Sequence, residues 1–105
     1  MSSGYVYLLC DGEKFKIGMT RQKDIHKRIS ELQTGNPNEI YMMSYYHTDY
    51  PYRVEQLMHN KYYKNNIKNE WFDMTAQDVV NFKNNCAYYE NIISKMTDNP
   101  FFKAC

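Results

Sequence analysis

Paired cysteines, net charge, a long apolar run and internal repetition are all missing from this chain of 105 residues, and each absence removes a class of protein. Three cysteines, Cys10, Cys86 and Cys105, are odd in number and show no CxxC spacing, which argues against a disulfide framework and a cysteine zinc site. A formal net charge of +1 excludes a general polyanion coater, which would be strongly basic. No stretch approaches the roughly 20 apolar residues of a membrane-spanning helix, so no membrane partner is expected. Met1-Ser2-Ser3-Gly4 lacks the basic and apolar regions of a secretory signal, giving the expectation of an intracellular, non-secreted protein (host cytoplasm or nucleus if viral). With no linker or low-complexity tract, residues 1–105 read as a single domain able to bury about two thirds of its unfolded surface. What is present is a globule's composition, 43% hydrophobic and 16% aromatic.

The charges are uneven. Lys14, Lys16, Arg21, Lys23, Lys27 and Arg28 crowd one short stretch against Glu13 and Asp24, making a local positive patch. Around that patch the pattern is β-like: Tyr5 to Cys10 is rich in strand formers, and Lys14 to Gly18 alternates polar with apolar. Asp11-Gly12 between them predicts a two-residue type I′ hairpin turn. Counting outward from that turn sets Leu8 opposite Phe15 and Tyr7 opposite Lys16. One face then carries Val6, Leu8, Phe15 and Ile17 for the core; the other carries Tyr5, Tyr7, Leu9, Lys14, Lys16 and Gly18.

Ile25, Ile29 and Leu32 predict a helix over about 24–33, with Arg28 at the border of its buried stripe. Breakers at Thr34 to Asn38 end it. Residues 39–48 read as a third strand. Pro51 opens a second helix with Val54, Leu57, Met58 and Tyr62 inward and Glu55 and His59 one turn apart on its flank. A short buried-looking segment, Glu70 to Asp73, precedes Thr75 and Asp78, which form a capping-box-like start. From there Val79, Phe82, Cys86, Tyr89, Ile93 and Met96 predict one long C-terminal helix, stopped at Asn99-Pro100. The expected fold is α+β, a small three-stranded antiparallel sheet flanked by helices.

Tyr5-Val6-Tyr7, Lys16-Ile17-Gly18-Met19-Thr20, Arg28, Glu55 to His59 and Asn69-Glu70-Trp71-Phe72 stand in an order that resembles the GIY-YIG nuclease superfamily. In particular it looks like the compact phage and virus branch, with KIG as second motif and a GEWF-like segment. The similarity runs from about Gly4 to Val80. It implies a three-stranded antiparallel sheet with flanking helices and divalent-metal-dependent cleavage of phosphodiester bonds. Tyr7 falls on the second tyrosine of the first motif, Arg28 on the helix arginine and Glu55 on the metal-binding glutamate. The chain departs from the pattern at Tyr5, Val6 and Lys16. The histidine or tyrosine many members use for proton transfer is replaced by Met19 or Leu32, and His26 does not fit the spacing.

The resemblance makes Tyr7, Lys16, Arg28 and Glu55 the expected catalytic residues, Glu55 the ligand of Mg²⁺ or Mn²⁺, and Tyr5, Gly18, Thr20 and His59 substrate contacts. An isolated tyrosine is about 0.1% ionised at neutral pH, and lowering its pKa by about 2 units needs about 3 kcal/mol. A lysine about 4 Å away could supply that, so Lys16 is expected to tune Tyr7 as a base. Arg28 would fork onto phosphate oxygens, and one carboxylate can suffice for a hydrated Mg²⁺ completed by substrate. A transition-metal site at Glu55 and His59 is disfavoured because no third ligand shows suitable spacing. The expected partner is nucleic acid, DNA foremost, with a homodimer or protein partner supplying specificity. The rival expectations are a catalytically inactive nucleic-acid-binding or adaptor module of the same fold, and a structural protein using Tyr45, Tyr46, Tyr62, Tyr63, Tyr88 and Tyr89 as an interaction surface.

Overall fold

The structure is a computed structural model, and it describes residues 3–97. The elements run β1 (Gly4–Cys10), β2 (Phe15–Thr20), α1 (Ile25–Thr34), β3 (Tyr41–Thr48), α2 (Pro51–Lys61), a 3₁₀ turn (Tyr63–Asn65), β4 (Asn66–Lys68), β5 (Trp71–Phe72), α3 (Ala76–Val80) and α4 (Phe82–Thr97). The class is α+β, as the patterning indicates. The sheet has five strands rather than three, in the order β3-β1-β2-β5-β4, with every pairing antiparallel. The two added strands are three and two residues long, too short for periodicity to reveal.

The hairpin register corrects the expectation. Tyr7 lies opposite Gly18, Leu8 opposite Ile17, and Lys16 opposite Leu9 rather than Tyr7. The turn is longer than two residues because Asp11 closes it with its side chain. Its Oδ1 accepts the amides of Glu13 (3.0 Å) and Lys14 (2.8 Å), while Asp11 N–H donates to the Lys14 carbonyl (3.1 Å). Gly12 takes the positive φ, 100°, that this loop needs. The shift is two residues, so the side-chain faces survive it: a slip of one would have exchanged them. Lys14 falls in the loop and off the face assigned to it.

Both faces of the central strands are covered. Val6, Leu8 and Ile17 pack with Val54, Met58 and Tyr62 around α2, and with Phe82, Cys86 and Ile93 of α4. On the opposite face Tyr7 and Leu9 pack with Ile25 of α1 and with Ile40, which precedes β3. Asp24 caps α1 by accepting the His26 and Lys27 amides, as Ser, Thr, Asp and Asn do at N-caps. The Thr75–Asp78 capping box forms in full. The helix it opens is not continuous, however: α3 ends at Val80, and α4 restarts at Phe82 after Asn81. The predicted stripe is buried at Phe82, Cys86 and Ile93, but Met96 lies 42% exposed. The Asn99-Pro100 stop lies outside the described residues.

Candidate functional site

Gly18 is the position on which the site is built. Tyr7 lies directly across from it, and the phenol ring covers the glycine. A Cβ at residue 18 would stand 2.5 Å from the Tyr7 hydroxyl and 2.6–2.7 Å from ring carbons. Only glycine leaves room for the ring there. Beyond Lys16, β2 has no ladder partner on its outer side, because β5 pairs only with Phe15 and Lys16.

That edge is closed by α2 and by the turn leading into β5. His59 of α2 donates its Nε2–H to the Ile17 carbonyl at 2.7 Å, which leaves Nδ1 as the nitrogen with a free lone pair. Val54 and Met58, fully buried against the sheet, draw the neighbouring Glu55 inward until it is 6% exposed. Glu70 is placed by its backbone. Asn69 before it adopts φ 54°, the Asn66 amide donates to the carbonyls of Asn69 and Trp71, and the Glu70 carbonyl accepts the Ile17 N–H at 3.1 Å. Glu55, His59 and Glu70 consequently offer three ligand atoms within 4.8 Å of one another. Glu70 offers the third candidate ligand atom, which sequence spacing does not reveal.

Charge is distributed around this trio. Lys16 Nζ stands 3.7 Å from the Glu70 carboxylate and 5.9 Å from the centre of the Trp71 ring. Burial, followed by the like charge of Glu70 and a hydrogen bond with it, pushes the Glu55 pKa up to about 7; Gln56 and Lys16 pull the other way. Arg28 projects half-buried from α1, 3.6 Å from Glu31. Burial raises the Tyr7 phenol above its ordinary value near 10. Arg28 draws it partly back by charge and polar contact, and the negative charges of Glu70 and Glu55 raise it further. The expectation that Lys16 lowers the Tyr7 pKa is therefore corrected twice. Lys16 faces Leu9 and pairs with Glu70, and the cation that acts on Tyr7 is Arg28.

Lys16, Glu55 and His59 thus gather around Glu70 in one group, to which Tyr7, with Arg28 beside it, is linked through the charges of Glu70 and Glu55. Tyr5 and Thr20 do not join it. They pair with each other at the opposite end of the hairpin, and the buried Thr20 hydroxyl accepts the Gln22 amide at 3.1 Å. Gly18 makes its contact with Tyr7. Glu70 was visible in the sequence as part of Asn69-Glu70-Trp71-Phe72, but only folding shows that its carboxylate reaches Glu55.

The tyrosine-rich surface divides as well. The Tyr46 hydroxyl donates to Glu90 (2.8 Å), and Tyr62 accepts from Asn85 (3.2 Å), leaving Tyr45, Tyr63 and Tyr88 exposed. No helix among the described residues is long and apolar enough to cross a membrane.

No curated protein and no solved structure shows a significant match to the chain. Residues 4–87 match the T5orf172 domain over both hairpin strands, α1, α2, the Glu70 turn and the start of α4. The chain belongs to the T5orf172 domain family, a phage-associated domain related to nuclease-like modules of the GIY-YIG and HNH types.

Proposed function

We propose that the protein is a metal-dependent endonuclease of GIY-YIG type that hydrolyses phosphodiester bonds in nucleic acid, DNA foremost. The observation that carries this reading is the convergence of Tyr7, Arg28, Lys16 and Glu55, from four separate elements, around the Glu55–His59–Glu70 trio. The donor set fits a divalent cation. Two carboxylates and an imidazole stand within 4.8 Å, and the buried Glu55 carries excess negative potential from Glu70. Carboxylates suit Mg²⁺, and the added imidazole admits Mn²⁺ equally. Such a cation, when bound, supplies stabilisation of negative charge on the phosphoryl and leaving oxygens.

The chain's own residues would do the rest. Arg28, beside the Tyr7 phenol, presents a planar fork to phosphate oxygens that a lysine could not reproduce. Lys16 balances Glu70 and holds that carboxylate beside Glu55. The Ile17 carbonyl fixes the His59 tautomer, as outer-shell acceptors do for metal-binding imidazoles. At rest Tyr7 holds its proton, so its hydroxyl orients the attacking water. To act as a base it would first give that phenolic proton to solvent, a loss that the charge of Arg28 favours and burial opposes, and the phenolate would then take a proton from the water.

Supercoiled plasmid incubated with Mg²⁺ or Mn²⁺ tests the reading. Wild-type protein is expected to nick it. Tyr7→Phe and Glu55→Gln should each slow nicking by about 10²-fold or more while the thermal transition persists. Full activity in Glu55→Gln would overturn the metal assignment. A specific observation favours the inactive binding module as second reading: the Tyr7 pKa is raised, against the needs of a base. Retention of DNA without product at any metal concentration would establish that alternative.

A further inference from the structure

A concave feature lies at the other end of the hairpin, where Tyr5 stands opposite Thr20 on one side and His47 on the other. It is a cavity of about 80 Å³, lined by Tyr5 and His47, by the Gly4 backbone, and by Arg21, Gln22 and Lys23 of the β2–α1 loop. We propose that this cavity binds a backbone phosphate flanking the scissile one, so that the polynucleotide is held at the Tyr5 end of the hairpin. This proposal rests on the nuclease reading for its account of what the strand is doing there.

Charge is the first support. Two cationic side chains line the cavity and no carboxylate does, although the chain as a whole carries only +1. Neither Arg21 nor Lys23 forms an ion pair with another described residue, whereas Lys16 and Arg28 both do. The nearest acid in sequence, Asp24, is occupied by the α1 amides it caps.

Placement is the second. Gln22 is fastened at both ends, its N–H to the Thr20 hydroxyl (3.1 Å) and its side-chain amide to Glu31 (3.0 Å). This tether holds the loop so that Arg21 and Lys23 flank one spot. Gly4 is packed against the backbone of the same loop, where a Cβ would collide with the Thr20 carbonyl.

The aromatic surround is the third. Rings gather beside the cavity, with Tyr5 edge-on to His47 (5.1 Å between centroids) and to Tyr45 (5.8 Å). Such rings give bases a sequence-tolerant stacking surface next to the phosphate.

The test is titration of the full chain in EDTA against labelled DNA and RNA oligonucleotides of one sequence, across a salt series. Cleavage is then absent and only binding is read. Arg21→Gln combined with Lys23→Gln should weaken binding about tenfold, uniformly across sequences, and flatten the log–log salt slope by about one per lost contact. Arg21→Lys with Lys23 intact should keep most of the slope. Backbone amide signals of Gly4 and Gln22 should move on oligonucleotide addition in the wild type and stay still in the double variant. Equal response to DNA and RNA supports a site that reads phosphate alone; response to one of them supports the same site and identifies its source. Unchanged affinity and slope in the double variant, with the wild type binding, would overturn the cavity and leave the nuclease reading standing. The expected binding pattern from a wild type that never cleaves would retain the cavity and remove the nuclease reading.

Discussion

The two faces of the central hairpin are equally buried and chemically opposite. On the α2/α4 side Val6, Leu8 and Ile17 meet only apolar or weakly polar neighbours, and the packing there is ordinary core. On the α1 side Tyr7 is as deeply buried as they are, yet it carries a hydroxyl under the influence of a guanidinium and two carboxylates. Burying a carboxylate beside a like charge opposes folding, as the raised pKa of Glu55 records. The comparison teaches a division of labour. One face supplies stability, and the other uses part of it to hold charged groups in a geometry they would not adopt alone.

The largest expected effect comes from breaking the apolar face. Leu8→Ala should lower unfolding free energy by about 2–5 kcal/mol, as large-to-small changes at fully buried sites do. Chemical denaturation would measure it, and a loss below 1 kcal/mol would show that this face is not the stabilising one.

Gly18→Ala probes the point where the polar face is built. Its Cβ would meet the Tyr7 ring, so an overpacking cost of about 1–3 kcal/mol is expected. Tyr7→Ala in the same chain should remove most of that extra cost, because the clash partner is gone. A double-mutant cycle with no coupling would separate the two residues.

A smaller effect sharpens the comparison through pH. Glu55 has a folded pKa raised from its ordinary 4.5 to about 7, so the native state binds a proton more tightly than the unfolded chain. Stability of the metal-free protein should accordingly be fullest below pH 4.5 and decline as pH rises through 7. Glu55→Gln should flatten that decline in a series of thermal melts. An unaltered pH profile in the variant would mean that another group, not Glu55, titrates there.

Much of the architecture was legible beforehand, for reasons that differ from element to element. The α1 stripe at Ile25, Ile29 and Leu32, the Asp24 cap and the Pro51 start of α2 depend on neighbours within a turn or two, and they appear as read. The side-chain faces of β1 and β2 also survived, because a register error of two residues preserves them. The register itself was missed, since Asp-Gly signals a tight turn while the Asp11 carboxylate, by taking two amides, stabilises a wider one. The break at Asn81 escaped because the apolar spacing continues through it.

The candidate site divides along the same line. Motif order pointed to Tyr7, Lys16, Arg28 and Glu55; the structure sets Arg28 beside Tyr7, and Lys16 and Glu55 beside Glu70. It could not show that Lys16 serves Glu70, or that Arg28 is the cation acting on Tyr7, because those contacts join residues far apart in the chain.

By itself, the sequence determined the α+β class, the helix caps, the two faces of the hairpin and the identity of the charged groups. These follow from local propensity and from periodicities of two and 3.6 residues, which act over short distances. Only the tertiary structure decided that Glu55, His59 and Glu70 meet and that Tyr7 lies across Gly18 with its proton held tightly. The physical reason is that Coulomb and desolvation energies depend on separation in space and depth below the surface. Neither quantity exists until α2 and the Asn69 turn have closed over the edge of β2.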